Sequence, residues 1–219
     1  MRSIAPRRNE TMPRRRCPRR SLTRLQRRGD LVSMPSPTRL YTVDDVRAMP
    51  DDGNRYEIID GELFVTPAPG TRHQRTLGRL YLLLGNYVSR HGLGELYFAP
   101  VDVVLGRLTL VEPDMLFIHR SRSDVITERE VIAAPDLAVE ILSPSTARTD
   151  RGRKRALYQE RGVTEYWIVD CEQEQVEVWG PGAMAAVVYG GGGEDTIRWQ
   201  PDAATPALTV DLHELFRSA

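Results

Sequence analysis

Two acidic side chains are set among apolar neighbours. Asp114 follows Pro113 in Val111-Glu112-Pro113-Asp114-Met115-Leu116-Phe117-Ile118, and Glu140 alone breaks the apolar run from Leu137 to Leu142. If the two segments pair as strands, their carboxylates converge at one end of a sheet. Hard oxygen ligands gathered in this way suit Mg²⁺, which takes one or two carboxylates and keeps several waters. Mn²⁺ is an acceptable substitute. The plainer alternative is that each acid sits at a strand edge and is neutralised by an arginine.

A third residue stands out by composition. The chain holds 29 arginines and a single lysine, Lys154. Where only positive charge is needed this sequence uses arginine, so its one lysine is a candidate for chemistry that arginine cannot perform. A lysine amine whose pKa responds to its surroundings can position a water as the ammonium or deprotonate one once it is neutral, whereas a guanidinium cannot be deprotonated. Asp150, Lys154 and Tyr158 recur at intervals of four and share one face of a helix. The plainer reading here is an exposed Asp150–Lys154 pair, worth about 0.3–0.5 kcal/mol.

These residues need elements to hold them. Thr42 can cap a short helix, Val43 to Met49, ended by Pro50. Tyr56–Ile59 and Glu62–Val65, joined through Asp60-Gly61, read as a hairpin, since Asp-Gly is a strong hairpin signal. Apolar residues at 77, 80, 81, 84, 87 and 88 predict a helix over 71–91, ended by Gly92. Strands follow at Glu95–Phe98, Val101–Leu105 and, unbroken, Thr109–Ile118. The polar stretch His119–Glu130 reads as a loop or short helix. After the Leu137–Leu142 strand, Ser145 or Thr146 caps a second helix reaching Arg161, with Gly162 just beyond it. Val163–Val169 and Gln175–Trp179 form a strand pair, and Leu212–Phe216 a last helical turn. Alternation puts Asp136 on the face of Glu140, as an outer partner. Asp102 lies on one of the expected strands and could be mistaken for a ligand. His73, after Gly70, suits a helix start at least as well as chemistry. The order is that of an α/β single domain with a mixed sheet flanked by helices.

Composition narrows the function class. The chain has 219 residues, 41% hydrophobic, enough for a real core, and no apolar run approaches the length of a membrane span. Two cysteines, Cys17 and Cys171, are too few for a disulfide scaffold, which points to a reducing cytoplasm. Charge is uneven. Residues 1–34 carry eleven arginines against Glu10 and Asp30, a net +9, and because the chain sums to zero, residues 35–219 carry −9. The first segment reads as a basic tail, as a transit peptide, or as an extension before a start at Met34, and residues 35–219 as the folded domain. An acidic body is a poor surface for tight non-specific DNA binding. The Gly190–Gly193 run lacks the strand and helix context of a phosphate cradle.

Pro113-Asp114 followed by Glu140-Ile141-Leu142 resembles the PD-(D/E)XK nuclease signature, with Leu142 where the lysine should stand. The stretches 56–62, 135–145 and 162–170, together with Asp150, Lys154 and Tyr158, resemble the Uma2 family of restriction endonucleases over roughly residues 40–180. That resemblance implies a restriction-endonuclease-like fold, a Mg²⁺-dependent site cleaving DNA phosphodiester bonds, and a homodimer. By position it makes Asp114 and Glu140 metal ligands, Lys154 the signature lysine displaced onto the following helix, and Glu57 an acid completing the site. The competing expectations are a decayed site on the same fold, acting as a binding module, and an interaction domain whose basic tail makes the nucleic-acid contacts. The acidic body suits both.

Overall fold

The computed structural model describes residues 39–217. The expected boundary at residue 34 lies outside them.

Thr42 caps α1 (Val43–Arg47) reciprocally: its hydroxyl accepts from the Asp45 N–H at 3.2 Å, and the Asp45 carboxylate accepts from the Thr42 N–H at 2.8 Å. Strands β1 (Arg55–Ile59) and β2 (Glu62–Thr66) form the hairpin. Asp60 and Gly61 take φ of 52° and 81°, the left-handed pair that a two-residue turn between twisted strands requires. Helix α2 (Thr71–His91) stops at Gly92, whose φ is 59°. Next come β3 (Gly94–Phe98) and β4 (Asp102–Gly106).

The stretch expected as one strand over Thr109–Ile118 is two, β5 (Thr109–Val111) and β6 (Met115–His119), and they belong to different sheets. Pro113 has no N–H to give a ladder, and Glu112-Pro113-Asp114 carries the chain from one sheet to the other. The polar stretch contains a 3-10 turn (Arg120–Val125) and β7 (Glu130–Val131). After β8 (Leu137–Ile141), α3 (Ala147–Thr149) leads through a π-helical turn (Asp150–Lys154) into α4 (Arg155–Glu160). Thr146 occupies the cap position without a side-chain capping bond; the Ser143 carbonyl accepts from the Ala147 N–H instead, at 3.1 Å. The chain closes with β9 (Glu165–Asp170), β10 (Gln175–Trp179), β11 (Val187–Gly190), β12 (Thr196–Trp199), β13 (Leu208–Asp211) and α5 (Leu212–Phe216).

One sheet has the order β2-β1-β5-β4-β7 and the other β11-β10-β9-β8-β6-β3, with β12-β13 a separate pair. In the six-stranded sheet β6 runs antiparallel to β8, and β8 parallel to β9, so the sheet is mixed. Alternation along β8 divides two cores. Leu137, Val139 and Ile141 face one way with Leu77, Leu80 and Leu84 of α2; Ala138 faces the other with Ile59, Val111, Leu157 and Tyr158. Glu140 shares the alternation of Ala138. Truncating a buried leucine such as Leu80 or Leu84 costs about 2–5 kcal/mol. Among the described residues no helix is long and apolar enough to cross a membrane.

Candidate active site

The antiparallel register of β6 and β8 sets Met115 opposite Val139, so one step further Asp114 stands opposite Glu140. This places both carboxylates at the end of the strand pair where the chain crosses between sheets. Glu57 reaches the same point from the middle of β1, and Lys154 from the end of the π-helical turn. All four, with Asp150, are buried. They meet at a cavity of about 220 Å³ bordered by Arg55, Glu57, His73, Asp114, Glu140 and Lys154, with Ser143–Thr146 and the 66–70 segment around its mouth.

Asp114 is held on both oxygens. Oδ1 accepts from both terminal nitrogens of Arg55 at 3.1 Å; Oδ2 accepts from the Ile141 N–H at 2.8 Å and lies 3.0 Å from His73 Nε2. Burial alone would raise its pKa, but His73, Arg55 and the Ile141 N–H outweigh burial and hold it below the usual carboxylate range. On the other side, Lys154 Nζ lies 2.8 Å from Glu57 Oε1 and donates to Glu140 Oε1 at 2.9 Å. Glu140 Oε1 also accepts from the Tyr158 hydroxyl at 3.2 Å, and Glu57 Oε1 from the Glu112 N–H at 2.7 Å. Burial pulls the Lys154 pKa down, yet Glu140, Glu57 and Asp150 together lift it well above its ordinary value. Lys154 is therefore a fixed ammonium. In that form it can orient a water or neutralise charge.

Asp150 is the odd member. Its oxygens are buried with no hydrogen-bond partner, the nearest cation being Lys154 Nζ at 3.9 Å. Burial pushes its pKa up to about 6, with Lys154 opposing. The expected face of Asp150, Lys154 and Tyr158 turns inward, so the exposed-pair reading is overturned: Asp150 is 1% exposed and Lys154 3%. The π-helical turn between them is a feature often found at functional sites.

One expectation fails, that of Asp136. Asp136 sits just before β8, four residues from Glu140, or about 13 Å along an extended strand. Its carboxylate accepts from the His119 N–H at 2.7 Å and from Arg122 at 2.9 Å, at the opposite end of the sheet. Asp102 lies on β4, in the five-stranded sheet, and does not border the cavity. Conversely, Arg55 and Glu112 were missed. Arg55 is two residues from Glu57 on a strand, so period-two alternation puts both on one face and was readable. Its guanidinium is held charged by Asp114, Glu140 and Glu57 against the pull of burial. Glu112, two residues from Asp114 on the stretch taken as one strand, was readable by the same alternation and was passed over; burial pushes its carboxyl up to about 7. His73, set down as a helix-start residue, is also buried against Asp114, and its Nδ1 has no partner.

Negative charge is in excess here. Glu57, Glu112, Asp114, Glu140 and Asp150 surround two permanent cations, Arg55 and Lys154. Burial lifts the pKa of Glu140 well above normal, and the neighbouring Asp150, Asp114 and Glu57 push the same way against Lys154. No three His, Cys, Asp or Glu side chains among the described residues form a ready-made cage for a metal. A hard divalent cation that keeps most of its own waters needs no cage, and the uncompensated carboxylates fit one.

A family model described as "Uma2: Putative restriction endonuclease" matches residues 43–212. The chain belongs to the Uma2 family. That Uma2 region contains every residue of the cluster. A solved structure, described as a putative nuclease belonging to DUF820 from Anabaena variabilis, is similar to this chain with a TM-score of 0.66 at 19% identity. The match covers 80% of this chain and 97% of that one. At that identity the likeness is one of fold, and it agrees with the expected mixed-sheet nuclease-like architecture. No curated protein matches the chain.

Proposed function

We propose that this Uma2 protein is a divalent-metal-dependent endonuclease of PD-(D/E)XK type, acting on DNA phosphodiester bonds. The observation that carries the reading is the crowd of buried carboxylates, more than the adjacent cations balance, at the end of β6 and β8. Asp114 and Glu140 would hold Mg²⁺ or Mn²⁺, with Glu57 beside them. Such an ion, when bound, polarises a phosphoryl oxygen and lowers the pKa of a bound water.

The chain's own residues do the rest. Arg55 and His73 fix the Asp114 carboxylate from both sides, so it cannot rotate away as substrate enters. Tyr158 and Lys154 anchor Glu140 through one oxygen, Oε1. Lys154, as a permanent ammonium, stabilises negative charge developing on the phosphate without giving up a proton. Removing a contact of this kind costs about 3–4 kcal/mol, or 10²–10³ in rate. The homodimer that the resemblance implies and the cytoplasmic setting that the two cysteines suggest belong to the same reading; sedimentation velocity tests the former.

The experiment is plasmid cleavage in Mg²⁺ and Mn²⁺, with Mn²⁺ binding followed by calorimetry. Wild type should cut and bind the ion, and Asp114→Asn should do neither at comparable levels. Unchanged cleavage by Asp114→Asn would remove Asp114 from the site. One observation favours the second reading, a decayed module: both Asp114 oxygens are already engaged within the protein. A wild-type chain that neither binds Mn²⁺ nor cuts would decide for that module.

A further inference from the structure

A second recess opens beside the catalytic cavity. It has a volume of about 320 Å³ and shares Gly70, His73, Ser143 and Pro144 with the first, so the two form one continuous depression. Its character differs. Leu142, Pro144, Ala147 and Cys171 give it an apolar lining, and Arg72 and Arg151 border it.

Both guanidiniums are already charge-balanced. Arg72 lies 3.0 Å from Glu172, and Arg151 donates to Asp170 at 3.0 Å and to Glu177 at 2.7 Å. They are therefore weak anchors for a run of phosphates, but their planes remain available as stacking surfaces. The residues after position 34 carry −9 in total, which also argues against a long phosphate track. The cluster beside the recess is deeply set, with Glu57, Asp114, Glu140 and Lys154 each 2–3% exposed. A stacked base in a duplex cannot enter an apolar recess unless it is first extruded, at a cost of a few kcal/mol. An unpaired base enters without that cost.

We propose that the recess lined by Leu142, Pro144, Ala147 and Cys171 is a nucleobase pocket, and that the substrate class is single-stranded nucleic acid, one unstacked base seating there as the neighbouring phosphodiester enters the carboxylate cavity. This deepens the endonuclease reading and rests on it for the second half only.

The test uses the full chain and a labelled 12-nucleotide single strand, followed by fluorescence anisotropy in EDTA so that hydrolysis is stopped. A set of strands with one base-free residue at successive positions carries the same phosphate charge, so the arginine-rich segment contributes equally to all of them. The pocket requires a loss of roughly tenfold in affinity when the missing base is the one seated. Ala147→Phe, which fills the recess, should bring the same loss to the intact strand and none to the base-free one. In Mg²⁺, the single strand should be cut at least tenfold faster than the matching duplex. Equal affinity for intact and base-free strands, no binding of either, or a duplex cut as fast as the single strand would each overturn the assignment. The base-free comparison still decides if Ala147→Phe does not fold. Base-dependent binding without cleavage of any substrate would uphold the pocket and overturn the endonuclease reading.

Discussion

The two ends of the β6–β8 strand pair both carry acids, and they handle them in opposite ways. At one end Asp136 meets a backbone N–H and a half-exposed arginine, Arg122, which also donates to the Ala134 carbonyl at 2.7 Å. The Asp136 charge there has its match, and the result is a surface clamp on the turn after β6. At the other end Glu57, Asp114, Glu140 and Asp150 are buried around Lys154 and Arg55, and the Asp150 carboxylate has no hydrogen-bond partner among the described residues. An acid among apolar residues therefore says little by itself. What separates scaffolding from chemistry is whether the negative charge is balanced where it is buried.

The largest effect that tests this contrast comes from Lys154. Lys154→Ala leaves three buried carboxylates without their shared cation and should lower stability by about 3–5 kcal/mol at pH 8, measured by chemical denaturation. Lys154→Arg should be nearly as damaging to cleavage, because a planar fork has no room between Glu57 and Glu140 at 2.8 and 2.9 Å. Near wild-type cleavage by that variant would reduce Lys154 to plain charge. Next in size is Asp150→Asn. A buried carboxyl whose pKa is raised to about 6 from 3.8 binds protons more readily folded than unfolded, so its ionisation costs stability as pH rises from 4 to 6. Asp150→Asn should therefore be more stable than wild type by about 1–3 kcal/mol at pH 7, with the gain vanishing near pH 4. A variant less stable at pH 7 would mean that the Asp150 charge is needed to hold Lys154.

The clamp end should respond more weakly. Asp136→Ala should cost about 1–2 kcal/mol, through the His119 N–H left without its acceptor, and should leave cleavage in Mg²⁺ unaltered. A tenfold fall in rate with the fold intact would erase the distinction between the two ends. Smallest of all is removal of residues 1–33, which carry almost no apolar periodicity. A chain starting at Met34 should melt within a few degrees of the full one, and a large loss would show that this segment packs on the body.

Much of the site was legible because the strongest sequence signals are local. The Asp-Gly hairpin fixed Glu57 on β1, the apolar run fixed Glu140 on β8, and spacing by four put Asp150, Lys154 and Tyr158 on one face. That the Asp114 and Glu140 segments pair was left as a condition by the sequence, and their antiparallel register is seen only in the structure. What stayed hidden depends on long-range geometry. The break at Pro113 was taken as mid-strand, so the change of sheet could not be foreseen, whereas Glu112 shared the face of Asp114 under that reading and was simply passed over. Asp136 was misplaced for the reverse reason: alternation gives the face of a strand correctly and says nothing about how far along it a residue lies. The π-helical turn leaves no periodic trace, since one extra residue in a turn does not disturb a four-residue spacing read by eye.

The short crossing at Glu112-Pro113-Asp114 also bears on when the carboxylate cluster can assemble. Arg55 and Asp114 lie 59 residues apart, His73 and Asp114 41, and Asp114 and the Ile141 N–H 27, so the carboxylate is fixed only after distant parts of the chain have met. Contacts of such separation form late, because their loops must close first. Neither sheet alone contains the site, and a nascent or half-unfolded chain presents scattered acids with no cutting centre. On the proposed reading, hydrolysis is tied to completion of the fold, a safeguard that needs no inhibitor.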